Sequence, residues 1–297
     1  MLVTGATGYV GSRLIPSLVE AGHTVVAASR SGTQALAWHD RVETRAFDIE
    51  DDALVAAAVE GVDAVIYLVH SMQSKDFERL DREGAHRMAS ACERAGVGRI
   101  VYLSGLVPQG TLSAHLRSRH EVEQILLEAA VPTVVLRAAM IIGSGSTSFE
   151  LLRRLSQRLP VLTPVPAWMH HLVQPIAIED VVHLVGRALA VEPINAPFDV
   201  GGEDVVDYLE LLTLFAQVAG LHRVRVTVPF LPQRVVGLTG ALIAGLPRTE
   251  ISTLVESLPH DMVCRDYSVR DVLLEPGFDY VPIGDALRRS LRPPGRA

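Results

Sequence analysis

Cysteine is scarce in this chain: there are two in 297 residues, Cys92 and Cys264, far apart and outside any CxxC. That excludes a disulfide framework and a thiolate zinc site, and it suits a reducing cytoplasm. Long apolar runs are missing too. The longest uncharged one, VVGLTGALIAGL from Val235 to Leu246, is too short to span a bilayer and is expected to be a buried or partner-facing helix. Met1 leads straight into a strand, so no signal peptide is expected. Basic excess is absent: 27 Lys and Arg against 34 Asp and Glu leave a net charge of −7, which disfavours nucleic acid or an anionic membrane as partner. The cluster Arg153, Arg154 and Arg158 reads as the wet face of a helix. There is no HExxH, and His170-His171 has no evident carboxylate or cysteine partner, so no metal is expected. YLSGL is not a GxSxG elbow, and GSGSTS lacks the GK[ST] ending of a triphosphate-binding loop, which disfavours acyl transfer and nucleotide hydrolysis.

With 48% hydrophobic and 21% charged residues, the composition is that of a globular chain long enough for a nucleotide-binding domain and a smaller lobe. Short β-branched runs alternate with amphipathic stretches through the first two hundred residues. The runs are Leu2–Thr4, Thr24–Ala28, Val42–Phe47, Ala64–Val69, Ile100–Leu103 and Thr133–Arg137, with helices expected at Ser12–Ala21, Ala53–Val59, Glu78–Ala95 and Ala114–Ala130. This is the pattern of an α/β fold, a doubly wound parallel sheet. Ser113 is placed to cap the last of these helices, and Val131-Pro132 to stop it. After Gly143 the rhythm breaks. Residues 1–143 and 174–202 are expected to form a Rossmann domain, and 144–173 and 203–297 a mostly helical substrate lobe.

TGATGYVG, Thr4 to Gly11, follows the first strand and opens the first helix. In that setting Gly5 permits the tight turn, Gly8 lets backbone approach a diphosphate and Gly11 allows close helix–strand packing. Thr7, Tyr9 and Val10 complete the loop, and the helix start behind it supplies unpaired amides. At the end of the second strand, where an acid would accept from the adenosine ribose, the chain reads Ser29-Arg30. A guanidinium beside small hydroxyls suits a 2′-phosphate, so NADP(H) is expected over NAD(H). Arg13 is placed to assist, and the alternative is that Arg30 points into water. Asp48 and Ile49 after the third strand are expected at the adenine edge, although an aspartate there equally suits a helix cap. His70 and Ser71 end the fourth strand and, with Val69, should line the cofactor.

Together with YLVHSM, IVYLSG, VVLRAAMIIGSG, QPIAIEDVV and FDVGG, this loop gives the chain a resemblance to the short-chain dehydrogenase/reductase superfamily. More narrowly it resembles the atypical, extended-like branch that includes NmrA-like proteins and the accessory nucleotide-binding subunit of respiratory complex I. The resemblance covers most of the chain. It implies a serine that polarises the substrate carbonyl, matched by Ser104, and a tyrosine–lysine pair four apart that moves the proton and holds the nicotinamide ribose. Here those positions read His115 and Arg119, so YxxxK has become HxxxR.

The spacing keeps both side chains on one helix face. Histidine titrates near 6.5 unaided, and the fixed charge of Arg119 should lower that value further. His115 is therefore expected to donate to the substrate, with Arg119 on the nicotinamide ribose. Met72, Met140, Phe149, Trp168 and Met169 are candidate walls of an apolar substrate pocket. The expected function is an NADP(H)-dependent oxidoreductase reducing a small carbonyl, enone or imine. The alternative is a non-catalytic NADP(H)-binding redox sensor or accessory factor of a redox complex. The only partners expected are the small-molecule substrate and, at most, a second copy of the chain in a homodimer.

Overall fold

The computed structural model describes residues 1–30, 36–71, 74–158, 162–228 and 258–292, together with Ile243 and Gly245. In chain order the Rossmann elements are β1 (Leu2–Thr4), α1 (Tyr9–Glu20), β2 (Val26–Ser29), β3 (Glu43–Ala46), α2 (Asp52–Val59), β4 (Ala64–Tyr67), α3 (Phe77–Ala95), β5 (Arg99–Gly105), α4 (Ala114–Glu128) and β6 (Thr133–Ala138). There follow β7 (Ile141–Ile142), α5 (Thr147–Arg158), β8 (Leu162–Pro166), β9 (Leu172–Val173), β10 (Ile176–Ala177), α6 (Ile178–Ala190) and β11 (Ala196–Val200). The chain continues through β12 (Val206–Asp207), α7 (Tyr208–Val218), β13 (Val224–Val228), the short α8 (Val269–Val272) and α9 (Ile283–Leu291).

Seven strands form one sheet in the order β11-β6-β5-β4-β1-β2-β3, every neighbouring pair parallel. The order reverses between β1 and β4, which opens a crevice at their carboxyl ends. The Thr4 hydroxyl seals that junction, donating to the Ile66 carbonyl at 3.1 Å and accepting from the Leu68 amide at 3.0 Å. Alternate strand residues feed two cores, as the two-residue side-chain period requires. Val3, Ile66, Val101 and Leu136 pack with Leu14 of α1 and Leu184 of α6. Leu2, Val65, Ile100 and Val135 pack on the opposite face with Val55 of α2, Met88 of α3 and Leu126 of α4. Each fully buried aliphatic side chain is worth about 1.5–3 kcal/mol, so both layers hold the sheet edge in place.

Local signals set the ends of the helices that reach the crevice. The Ser113 hydroxyl caps α4 by accepting from the Leu116 amide at 3.4 Å. Gly96, at φ 69°, ends α3 in the left-handed conformation that glycine adopts without strain. A third core holds the lobe over the carboxyl edge, joining Phe149 and Leu152 of α5, Phe215 of α7, Met262 and Leu287 of α9. Val269, Leu273, Leu274 and Tyr280 instead join the core beneath α1 and α6. Arg153 and Arg154 pair with Glu150, and the carbonyls of Ile243 and Gly245 accept from Arg158 and Arg154. The rest of the Val235–Leu246 segment lies outside the described residues. Cys92 and Cys264 are buried and unpaired, and no helix among the described residues is long and apolar enough to cross a membrane.

Candidate functional site

A cleft of about 720 Å³ runs along the carboxyl edge of the sheet, from the glycine loop to the lobe. Gly5 sits at φ 64°, where a side chain would be strained, and an added methyl would lie 3.2 Å from the Leu68 carbonyl oxygen. At Gly11 an added methyl would overlap the Gly5 carbonyl and lie 2.9 Å from the Ala6 α-carbon, so α1 packs directly on the loop. Gly8 is the N-cap of α1; it offers no side-chain cap, and the first turn carries no acid. An anion meets amides and the positive end of the helix dipole there, with no carboxylate to repel it. The loop residues therefore fit a dinucleotide diphosphate.

At the adenosine end of the cleft the lining includes Ser29, Arg30, Phe47, Ile49 and Glu50. Arg30 is exposed at its rim. Asp48 does not line the cleft; its carboxylate accepts from the Glu50 amide at 3.0 Å and so shapes the turn that presents Ile49 and Glu50. Nor is Arg13 available to a phosphate. Its guanidinium stacks 4.2 Å over the Tyr9 ring and donates to the Tyr9 and Ser144 carbonyls, clamping the Gly143–Ser146 turn onto the glycine loop. Gly143 lies so close to the Tyr9 hydroxyl that an added methyl would overlap it.

The middle of the cleft gathers Val69, His70, Ser104, His115 and Arg119. Ser104, the penultimate residue of β5, is 4% exposed, and its hydroxyl, beside that of Tyr102, has no partner at good hydrogen-bond geometry among the described residues. His115 and Arg119 follow on successive turns of α4, and Arg119 donates to the Leu103 carbonyl at 3.0 Å. Burial, then the Arg119 charge and His70, push the His115 pKa down to about 3. Burial, then the Arg119 charge, also push the His70 pKa down. Both rings are therefore neutral near pH 7, and His115 meets a substrate as a neutral imidazole rather than as a cation.

Two buried carboxylates brace this centre, and neither was singled out as a site residue from the sequence. Asp81 of α3 accepts from the Ser71 amide at 2.6 Å and from the Ser118 hydroxyl at 3.0 Å. Glu123, wholly buried one turn beyond Arg119, is gripped by Arg137 from the end of β6. Arg137 stands opposite Ser104 in the sheet register and also reaches Asp199.

Beyond Arg119 the cleft turns apolar, with Met140 among its lining residues. Phe149 is not one of them; it is fully buried behind α5, with its ring edge against Phe215 at 5.9 Å. Trp168 also lies off the cleft wall, and its neighbour Met169 lines the wall instead. Met72 falls outside the described residues. His170 and His171 each face a carboxylate, Asp207 at 2.9 Å and Asp261 at 3.0 Å, contrary to the sequence expectation. Among the described residues no three His, Cys, Asp or Glu side chains gather as a metal site.

A doubly wound sheet, a glycine loop at its switch point and a cleft along the carboxyl edge define a dinucleotide-binding protein. The NAD(P)H-binding family model matches residues 5–156, and the chain belongs to that family, within the short-chain dehydrogenase/reductase superfamily. Among curated relatives, a 2-alkyl-3-oxoalkanoate reductase of Stenotrophomonas maltophilia is 32% identical over 184 residues, covering 53% of this chain and 55% of the relative. An uncharacterised protein of Mycobacterium tuberculosis is 30% identical over 188 residues, 63% of this chain. The match spans only 20% of that protein's length. The solved structure of Citrobacter sp. triphenylmethane reductase complexed with NADP(H) superposes with a TM-score of 0.77 at 17% identity, covering 98% of this chain and 99% of that one. It shares the fold.

Proposed function

We propose that the protein is a cytoplasmic NADP(H)-dependent reductase of a small carbonyl, enone or imine compound. The observation that carries this reading is the convergence of Ser104, His115 and Arg119 midway along the cleft, between the glycine loop and the apolar lobe. The bound dinucleotide supplies the hydride. Arg30 at the adenosine rim is the donor suited to a 2′-phosphate, and Arg119 retains donors beyond its bond to Leu103 for the nicotinamide ribose. The unpartnered Ser104 hydroxyl donates to the substrate oxygen. His115 donates a second hydrogen bond as a neutral imidazole. As charge develops on that oxygen, His115 passes it the ring proton while its other nitrogen takes one from a cleft water. That water is itself reprotonated from bulk solvent, so the ring ends neutral and the proton consumed comes from solvent. The Arg119 charge favours the developing anion. The 2-alkyl-3-oxoalkanoate reductase among the relatives supports the reaction class.

A second reading, a non-catalytic NADP(H)-responsive protein, is favoured by one observation: the His115 conjugate acid is too strong to persist near neutrality as a proton reserve. A panel of carbonyl, enone and imine compounds offered with NADPH deuterated at nicotinamide C4 separates the two. The reductase reading expects NADPH oxidation with deuterium appearing on a product carbon. Saturable NADPH binding without oxidation across the panel would favour the second.

A further inference from the structure

The far arm of the cleft differs in chemistry from the rest. The ionisable groups Arg30, Glu50, His70, His115 and Arg119 all line the adenosine end or the middle. Past them, and past Ser146, Thr147 and Ser148 at the start of α5, the described lining includes Leu151 and Leu155 of α5, Met169, Leu211 of α7 and Met262, with Tyr208 as the titratable side chain among these. Burial raises the Tyr208 pKa, so it meets a ligand as a neutral hydroxyl. The arm follows from the helix period. Leu151 and Leu155, four apart, share one face of α5, while Glu150 pairs with Arg153 and Arg154. Leu151, Leu155 and Met169 are only partly buried, so apolar surface remains for a ligand to cover. Unbranched methionines adapt to ligands of varied outline.

A charged group pushed into this arm would lose its hydration and find no counter-ion among the described side chains. An apolar group would gain about 25 cal/mol per Å² covered. We infer that the arm takes the uncharged alkyl or alicyclic body of a ketone, with the carbonyl left at Ser104 and His115, and that it excludes ionised substrates such as nucleotide sugars. This deepens the reductase reading and rests on it for the placement of the carbonyl.

The test is calorimetric binding of 2-butanone, 2-hexanone, 2-octanone and 2-decanone to the full chain, with and without NADPH, with UDP-glucose as the charged probe. Each pair of added methylenes should lower Kd by about tenfold until the arm is filled. The butanone-to-decanone Kd ratio should exceed thirtyfold, and UDP-glucose should not displace decanone. Leu155→Phe, which fills the arm, should shrink the ratio at least fivefold. Leu151→Gln should weaken decanone binding as an independent check, with circular dichroism reporting the fold of both variants. A ratio below threefold, or displacement by UDP-glucose, overturns the inference. Length-dependent binding without NADPH oxidation by any ketone, or by the enones and imines of the panel, leaves the arm assignment standing and removes the reductase reading. Oxidation at equal kcat/KM for butanone and decanone does the reverse.

Discussion

The Ser118 hydroxyl donates to Asp81 Oδ2 at 3.0 Å, joining α4 to α3 one residue before Arg119 and three after His115. The other carboxylate oxygen holds the Ser71 amide, the residue next to His70. One buried side chain thus fixes both polypeptide stretches that carry the cleft's histidines. Asp81→Ala would leave a buried hydroxyl and a backbone amide without an acceptor. We expect a loss of about 2–3 kcal/mol in urea unfolding, with weaker NADPH binding; an unchanged midpoint would count against the brace.

Acid should destabilise the fold through His115. In the unfolded chain it binds a proton near 6.5, whereas in the folded protein it does so only at about 3. Below pH 6.5 the unfolded state therefore holds more protons, so stability is full above that value and is lost as pH falls toward 3. At pH 5 the loss from this residue is about 2 kcal/mol. Asp180, whose pKa burial raises to about 6, works in the opposite sense, so the comparison must be with a variant. Between pH 7.5 and 5, wild type should lose about 2 kcal/mol more than His115→Asn in urea titrations; parallel losses would refute the shift.

Cofactor choice should turn on Arg30. Reversing its charge with Arg30→Glu should raise the NADPH Kd tenfold or more, the scale of one charge-assisted hydrogen bond, and change NADH by less than threefold. Fluorescence titration with both nucleotides reads the difference. Equal effects on the two would mean that Arg30 does not meet the 2′-phosphate.

Gly11→Ala tests the loop itself. The new methyl would meet the Gly5 carbonyl and the Ala6 α-carbon, both backbone and unable to rotate away. α1 must shift, at a cost of about 1–3 kcal/mol in stability, and NADPH affinity should fall with it. Retained affinity would show that the packing tolerates a wider gap.

Much of this was legible in the sequence because it is local. The alternation of runs spelled out a doubly wound sheet, and Gly5, Thr7 to Gly11, Ser104, His115 and Arg119 all line the cleft. What escaped depends on the direction of single side chains or on distant partners. Phe149 and Leu151 lie two apart on α5, so one turns into the core and the other into the cleft. Trp168 and Met169 are both wall candidates by sequence; in the tight turn at residues 167–170 they differ by one step, and only Met169 lines the cleft. Arg13 suited a phosphate until the fold brought Ser144 against it. Asp81 gave no signal as an acid in a helix, and Glu123 only its spacing four beyond Arg119, since their partners come from other elements.

The account rests on His115 acting on the substrate and not on the cofactor, and His115→Ala measures this most directly. NADPH affinity by fluorescence and single-turnover NADPH oxidation, with a substrate found in the panel, should be measured on the same preparation. We predict an NADPH Kd within about threefold of wild type and a turnover rate lower by about 10²–10⁴-fold, the usual worth of a positioned proton donor. Turnover at the wild-type rate with intact binding would contradict it.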